Sequence, residues 1–136
     1  MRMSEQQGAS GVGAGLRALA RSEAEAIAQD VDGVRAVVIA TSDGFDIATA
    51  ARTPVDPGRI AALASSMAAI GAVVSTEAGL GRSTSVTVGT DNGFAVVHAA
   101  THAGIALVIH VIAGPGALLG QVNYRTAAAA RRLEAA

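Results

Sequence analysis

The chain has 136 residues, enough for one hydrophobic core and too few for two. Hydrophobic residues make up 51% of it, yet only two Phe and one Tyr are aromatic, so the core has to be built from Ala, Val, Ile and Leu, and the net charge of −1 gives no electrostatic footprint for nucleic acid or an anionic membrane. The absence of Lys and Cys excludes P-loop and Schiff-base lysines, thiolate nucleophiles, disulfides and Cys-ligated zinc.

Residues 1–14 are polar and Gly-rich without periodicity and read as a flexible tail before a single domain over 15–136. From Gly15 to Val31, Leu16, Leu19, Ile27 and Val31 fall near one helical stripe, with Arg17, Arg21, Glu25 and Gln29 elsewhere, which predicts an amphipathic helix. Two strands follow, VRAVVIAT and FDIATA, joined through Ser42, Asp43 and Gly44; Asp-Gly between apolar runs marks a hairpin, because tight turns need positive φ.

Asp56 is placed as N-cap and Pro57 as the first residue of a helix reaching about Thr76. Its large residues Ile60, Leu63, Met67, Ile70 and Val74 form one stripe. The opposite face carries Ala61, Ala62, Ser65, Ala69 and Ala72, where a surface helix would carry charge, so the helix is expected to be buried on both sides. Its uncharged run, Ile60 to Ser75, has 16 residues. That falls short of the roughly 20 needed to span a bilayer, and no membrane insertion is expected.

Three strands come next: STSVTVGT, FAVVHAA and GIALVIHVI, with a type I′ signal at Asn92-Gly93 and a turn at THAG. The last two are apolar on both pleat faces, whereas the Ser83–Thr90 strand is rich in Ser and Thr and reads as a sheet edge. A final helix over 117–136 has Pro115 near its start and Leu119, Val122, Thr126, Ala129 and Leu133 as its stripe. The order α-β-β-α-β-β-β-α predicts an α/β (α+β) domain, a five-stranded antiparallel sheet flanked by helices on both faces, rather than a Rossmann fold.

Candidate chemistry is sparse. Asp43 sits at the hairpin turn while Asp46 alternates with Phe45 and Ile47 along its strand, so strand geometry separates the two carboxylates; turn and rim roles are the leading reading, with metal binding the alternative. If THAG is a tight turn centred on His102 and Ala103, His98 lies opposite Leu107 and His110 on the other sheet face, so the two cannot share a metal and read as packed or interfacial. The cluster GVGAG follows no strand, GLG reads as turn chemistry, and no Ser stands in a G-x-S-x-G elbow. An enzyme is not expected, nor is any cofactor.

The uncharged helix and the polar edge strand remain. Together they can pair with a second copy across a two-fold axis, through Arg59, Ala61, Ala62, Ser65, Ala69 and Ala72 of the helix and Ser85, Val86, Thr87 and Val88 of the strand. The alternative is that another helix of the same chain covers that face.

The ordered set VDGVRAVVIATSDGFDIATA, RIAALASSMAAIGAVVSTEAGLG and SVTVGTDNGFAVVHAATHAGIALVIHV, with a last helix, resembles the roadblock/dynein light chain family, particularly its bacterial MglB-like members, from Leu16 to Leu133. The motifs are structural: a Gly-Val before the first strand, a Ser-Asp-Gly turn, an Ala/Leu-rich central helix ending in Gly-x-Gly, and the central hairpins. The resemblance implies a profilin-like architecture and a homodimer with paired edge strands and packed central helices. It also implies a regulatory role toward a small Ras-like GTPase docking near those helices. An arginine finger from Arg52, Arg59 or Arg82 is a tempting addition, but MglB-like members are thought to act by reshaping the GTPase's own residues. The Arg-only, Ala- and Gly-rich composition suggests a GC-rich bacterial genome, and the lack of Cys and of a signal-like start suggests the cytoplasm. A small-ligand sensor domain, or a dimeric scaffold without a GTPase partner, are the alternatives.

Overall fold

The computed structural model describes residues 12–136. In chain order these form α1 (Ala14–Asp30), β1 (Val34–Thr41), β2 (Asp46–Ala51), α2 (Pro57–Glu77), β3 (Ser85–Thr90), β4 (Gly93–His102), β5 (Ile105–Ala113) and α3 (Leu119–Ala135). The strands make one antiparallel sheet in the order β2-β1-β5-β4-β3. The predicted class and element order are therefore found, and β3 lies at an edge. Most of the tail expected over 1–14 lies outside the described residues; of its last three, Val12 is buried in the core and Ala14 opens α1.

Strand alternation sorts the core into two layers. Val37 and Ile39 of β1, with Leu107, Ile109 and Val111 of β5, face α1 and α3, where they meet Leu16, Ile27, Val122 and Leu133. Val38, Ala40, Val97 and Val108 face α2 and meet Ile60, Ala61 and Ala64. The central strands β1 and β5 are apolar on both pleats because both faces carry helices.

Two turns differ in register from the sequence reading. His102 pairs with Ile105 and His98 with Ile109, so the turn residues are Ala103 and Gly104, both at positive φ (48° and 81°) as a type I′ turn requires. The shift is two residues, so pleat parity is kept and His98 and His110 still lie on opposite faces. In the preceding hairpin Thr90 pairs with Gly93, making Asp91 and Asn92 the turn. Gly93 is needed for a different reason from the one expected: it opens β4 at φ 144°, where a Cβ would collide with the Ala113 carbonyl.

On the α1/α3 side polar groups complete the packing. Glu23 is buried and both of its oxygens accept from Arg132 Nε at 2.9 Å; this bond and the carboxylate charge hold the Arg132 guanidinium above its ordinary pKa. Arg125 meets Asp30 at 3.2 Å, and His98 Nε2 donates to Asn123 Oδ1 at 3.0 Å. His102 Nδ1 donates to the Leu133 carbonyl at 2.8 Å, tying the β4–β5 turn to the end of α3.

Candidate functional site: the α2 face and the β3 edge

Helix α2 starts where the sequence places it: Pro57 occupies the first turn and Asp56 Oδ1 accepts from the Arg59 amide at 3.2 Å. Its orientation is not the expected one. The residues turned to the sheet lie between the two sequence stripes and are mostly small: Ile60, Ala61 and Ala64, continued by Ala68 and Gly71. Small side chains let the helix axis come close. At Gly71 a Cβ would stand 2.6 Å from Val86 Cγ2 and 2.8 Å from Ser83 Oγ, so any larger residue has to displace these side chains.

Burial on both sides is accordingly not found: Ile60, Ala61 and Ala64 are the only buried residues of α2. Both other helices pack on the far side of the sheet, so no helix among the described residues covers this one. Of the large stripe, Ile60 is buried and Met67 half-buried, but Leu63 (53%), Ile70 (62%) and Val74 (54%) are left outside, as are Val73 (61%) and, beyond the helix, Leu80 (74%). No charge lies between Arg59 and Glu77. Three of the four hydroxyls on the helix are turned back onto its own carbonyls, Ser66 to Ala62 at 3.3 Å, Ser75 to Gly71 at 2.8 Å and Thr76 to Ala72 at 3.0 Å, and so add little polarity to the surface. By length and mean hydropathy (1.5) alone α2 is long and apolar enough to cross a membrane, a test that the core helix of a soluble protein also passes; 22% of its apolar window is buried.

The residues singled out in the sequence are not all brought together. Arg59, Ala62, Ala69 and Ala72 are exposed, but Ala61 is fully buried against the sheet and is not part of any outer face. Ser65 is turned inward, its Oγ donating to the Ser42 carbonyl at 2.5 Å, and Ala62 lies beside Gly44, so this flank carries the β1–β2 turn. On the edge strand Ser85, Thr87 and Val88 are exposed, while Val86 is half-buried against Gly71. Sequence reasoning missed Val73 and Leu80 and assigned Leu63, Ile70 and Val74 inward. The available signal was the run of Ala61, Ala64, Ala68 and Gly71, the small-residue line on which a helix can approach a sheet closely.

The arginines divide. Arg52 Nη2 donates to the carbonyls of Ala28 (2.6 Å) and Gln29 (3.5 Å), capping the negative end of α1. The guanidinium of Arg59 has no hydrogen-bond or ion-pair partner among the described residues, and Arg82 lines a cleft under the end of α2 with Ser75, Ser83 and Thr84. Asp43 and Asp46 are both exposed, and no group of three or more His, Asp or Glu able to hold a metal occurs among the described residues.

His110 is the buried polar group of this side. Its Nδ1 donates to the Ile60 carbonyl at 3.1 Å; burial pushes its pKa below the ordinary 6.5, and the Ile60 bond opposes that shift. It also lines a cleft of about 390 Å³ between α2 and the β3–β4 end of the sheet, with Leu63, Met67, Val88, Phe94 and Arg35.

Fold and face together define the class: an antiparallel α/β sandwich with one side closed by two helices and the other presenting an apolar helix beside an unpaired strand. The Roadblock/LC7 domain profile matches residues 23–110, more than half of the chain, which belongs to that family. Among solved structures, the Roadblock/LC7 domain from Streptomyces avermitilis is similar with a TM-score of 0.73 and 22% identity over 82% of this chain and 92% of that one. MglB in a tetrameric arrangement gives 0.78 at 20% identity over 90% of each chain. The gliding protein MglB from Thermus thermophilus gives 0.76 at 20% identity over 91% of this chain and 94% of that one. At these identities the likeness is one of fold. None of the curated proteins compared with the chain matches it.

Proposed function

We propose that the chain is a non-catalytic, homodimeric regulatory or scaffold module that binds a small Ras-like GTPase and regulates its nucleotide cycle. The carrying observation is the uncharged face of Leu63, Ile70, Val73, Val74 and Leu80 beside β3. Exposed apolar surface of this kind marks a protein contact. The neighbouring edge strand SVTVGT has no charge and no Pro to block pairing with another strand. A two-fold axis beside β3 pairs that strand with its copy and packs the two α2 helices by their large residues, with Val86 and Val88 beneath.

Membership of the Roadblock/LC7 family and the MglB-like fold support the regulatory reading. The GTPase, as the resemblance implies, docks on the other flank of α2, where Arg59, Ala62 and Ala69 remain exposed next to the β1–β2 turn. We place the module in a bacterial cytoplasm on its cysteine-free, Arg-only composition. The test is whether a neighbouring gene encodes a small GTPase, followed by a pull-down of such a GTPase loaded with a non-hydrolysable GTP analogue or with GDP. Retention in one nucleotide state, lost in Arg59→Glu with the fold intact, is expected. Absence of binding in both states contradicts the GTPase assignment while leaving the dimer in place.

A further inference from the structure

We propose that the cleft between the N-terminal half of α2 and the β3–β4 turn binds a small, mostly apolar organic acid, its acid group at Arg35 and its far end against His110. This goes beyond the GTPase reading and does not rest on it.

The cleft follows from side-chain size. On the α2 side of the sheet Val88, Ala95 and Ile112 stand in one row across three strands, so a small residue separates two large ones. Helix α2 covers the next rows and stops short of this one, leaving Leu63 and Met67 as one wall and Phe94 near the turn. The resulting volume of about 390 Å³ lies in the range of small-molecule sites and holds roughly a dozen water-sized groups at ~30 Å³ each.

Two polar groups set the chemistry. Arg35 sits at the β1 bulge, against Gly114, and its guanidinium has no hydrogen-bond or ion-pair partner among the described residues. No carboxylate lines the cleft, so the only formal charge there is positive. His110 is 3% exposed, and its Nδ1–H is committed to Ile60. No fully buried side-chain nitrogen lacks a partner, so Nε2 is the atom left facing the cleft, an acceptor in the neutral ring. An anion therefore belongs at Arg35 and a hydroxyl donor at His110. His110 lies opposite Val38, three residues along β1 from Arg35. At ~3.3 Å per residue this is a backbone offset of about 10 Å along the sheet, a span on the scale of a medium-chain acid.

The test titrates 8-hydroxyoctanoate, octanoate and 1-octanol into the full chain by calorimetry, with sedimentation reporting mass. Both acids are expected to saturate at one per chain, the hydroxy acid several-fold tighter, and the alcohol at least tenfold weaker than octanoate. Arg35→Gln should weaken octanoate about tenfold and leave octanol unchanged. Ala95→Leu, which fills the floor, should abolish all three at unchanged mass. Should Ala95→Leu fail to fold, the exposed Arg35→Gln alone decides. No saturable binding, by monomer or dimer, equal binding of acid and alcohol, or acid binding unaffected by Arg35→Gln would overturn the proposal.

Discussion

The two faces of the sheet are built by opposite means. On the α1/α3 face large aliphatic side chains interdigitate, and Glu23, His98 and His102 are each paired across elements, so the layer is closed both sterically and electrostatically. On the α2 face the contact is a line of Ala and Gly, and the large residues of the helix point away from the sheet. The first arrangement gives this chain its fold. The second leaves apolar surface unsatisfied within one copy, and such surface is retained where something else covers it.

The contrast can be broken most strongly on the closed face. Leu133 is fully buried, and Leu133→Ala is expected to cost about 2–5 kcal/mol in urea unfolding. Ile70→Ala on the open face should change the stability of a single copy by no more than about 0.5 kcal/mol. Equal losses at the two positions would mean that the faces are not different in kind.

Next in size is the α2 contact itself. Gly71→Val places a Cβ against Val86 and Ser83 and should lift the C-terminal half of the helix, at about 1–3 kcal/mol, visible as faster amide exchange in β3 and α2 with α1 and α3 unaffected.

A smaller effect sharpens the role of His110. Its folded pKa lies below 6.5, so the unfolded chain takes up the proton first as pH falls. The stability from keeping it neutral is complete above about 6.5 and is lost as the pH drops toward the folded pKa, with a slope of up to about 1.4 kcal/mol per pH unit. Arg35 is the one charged group lining the same cleft. Denaturant melts between pH 7.5 and 5.5 should show this slope, flattened in His110→Gln.

The fold was legible because its signals are local. The Ser42-Asp43-Gly44 turn, the Asp56-Pro57 helix start and the two-sided apolar strands are each set by a few neighbouring residues, and the structure places them within a residue or two. The open face was half legible. Absence of charge marks α2 as unusual, but which stripe meets the sheet depends on how near the helix lies, and that is decided by Val86 and Ser83 against Gly71, residues distant in sequence. A helix with large and small stripes ordinarily buries the large one; here close approach on Ala and Gly wins. The register of the β4–β5 hairpin differs by two because Gly104, at φ 81°, takes a central turn position beside Ala103 while His102 stays in the strand.

The proposed contact between two copies of this chain joins the large exposed residues of α2 and the edge of β3. Sedimentation velocity of the native chain and of Ile70→Arg at matched micromolar concentrations tests it most directly. A dimer is expected for the native chain and a folded monomer with a cooperative melting curve for Ile70→Arg. A native chain that sediments as a monomer, or an Ile70→Arg variant that remains dimeric, would contradict it.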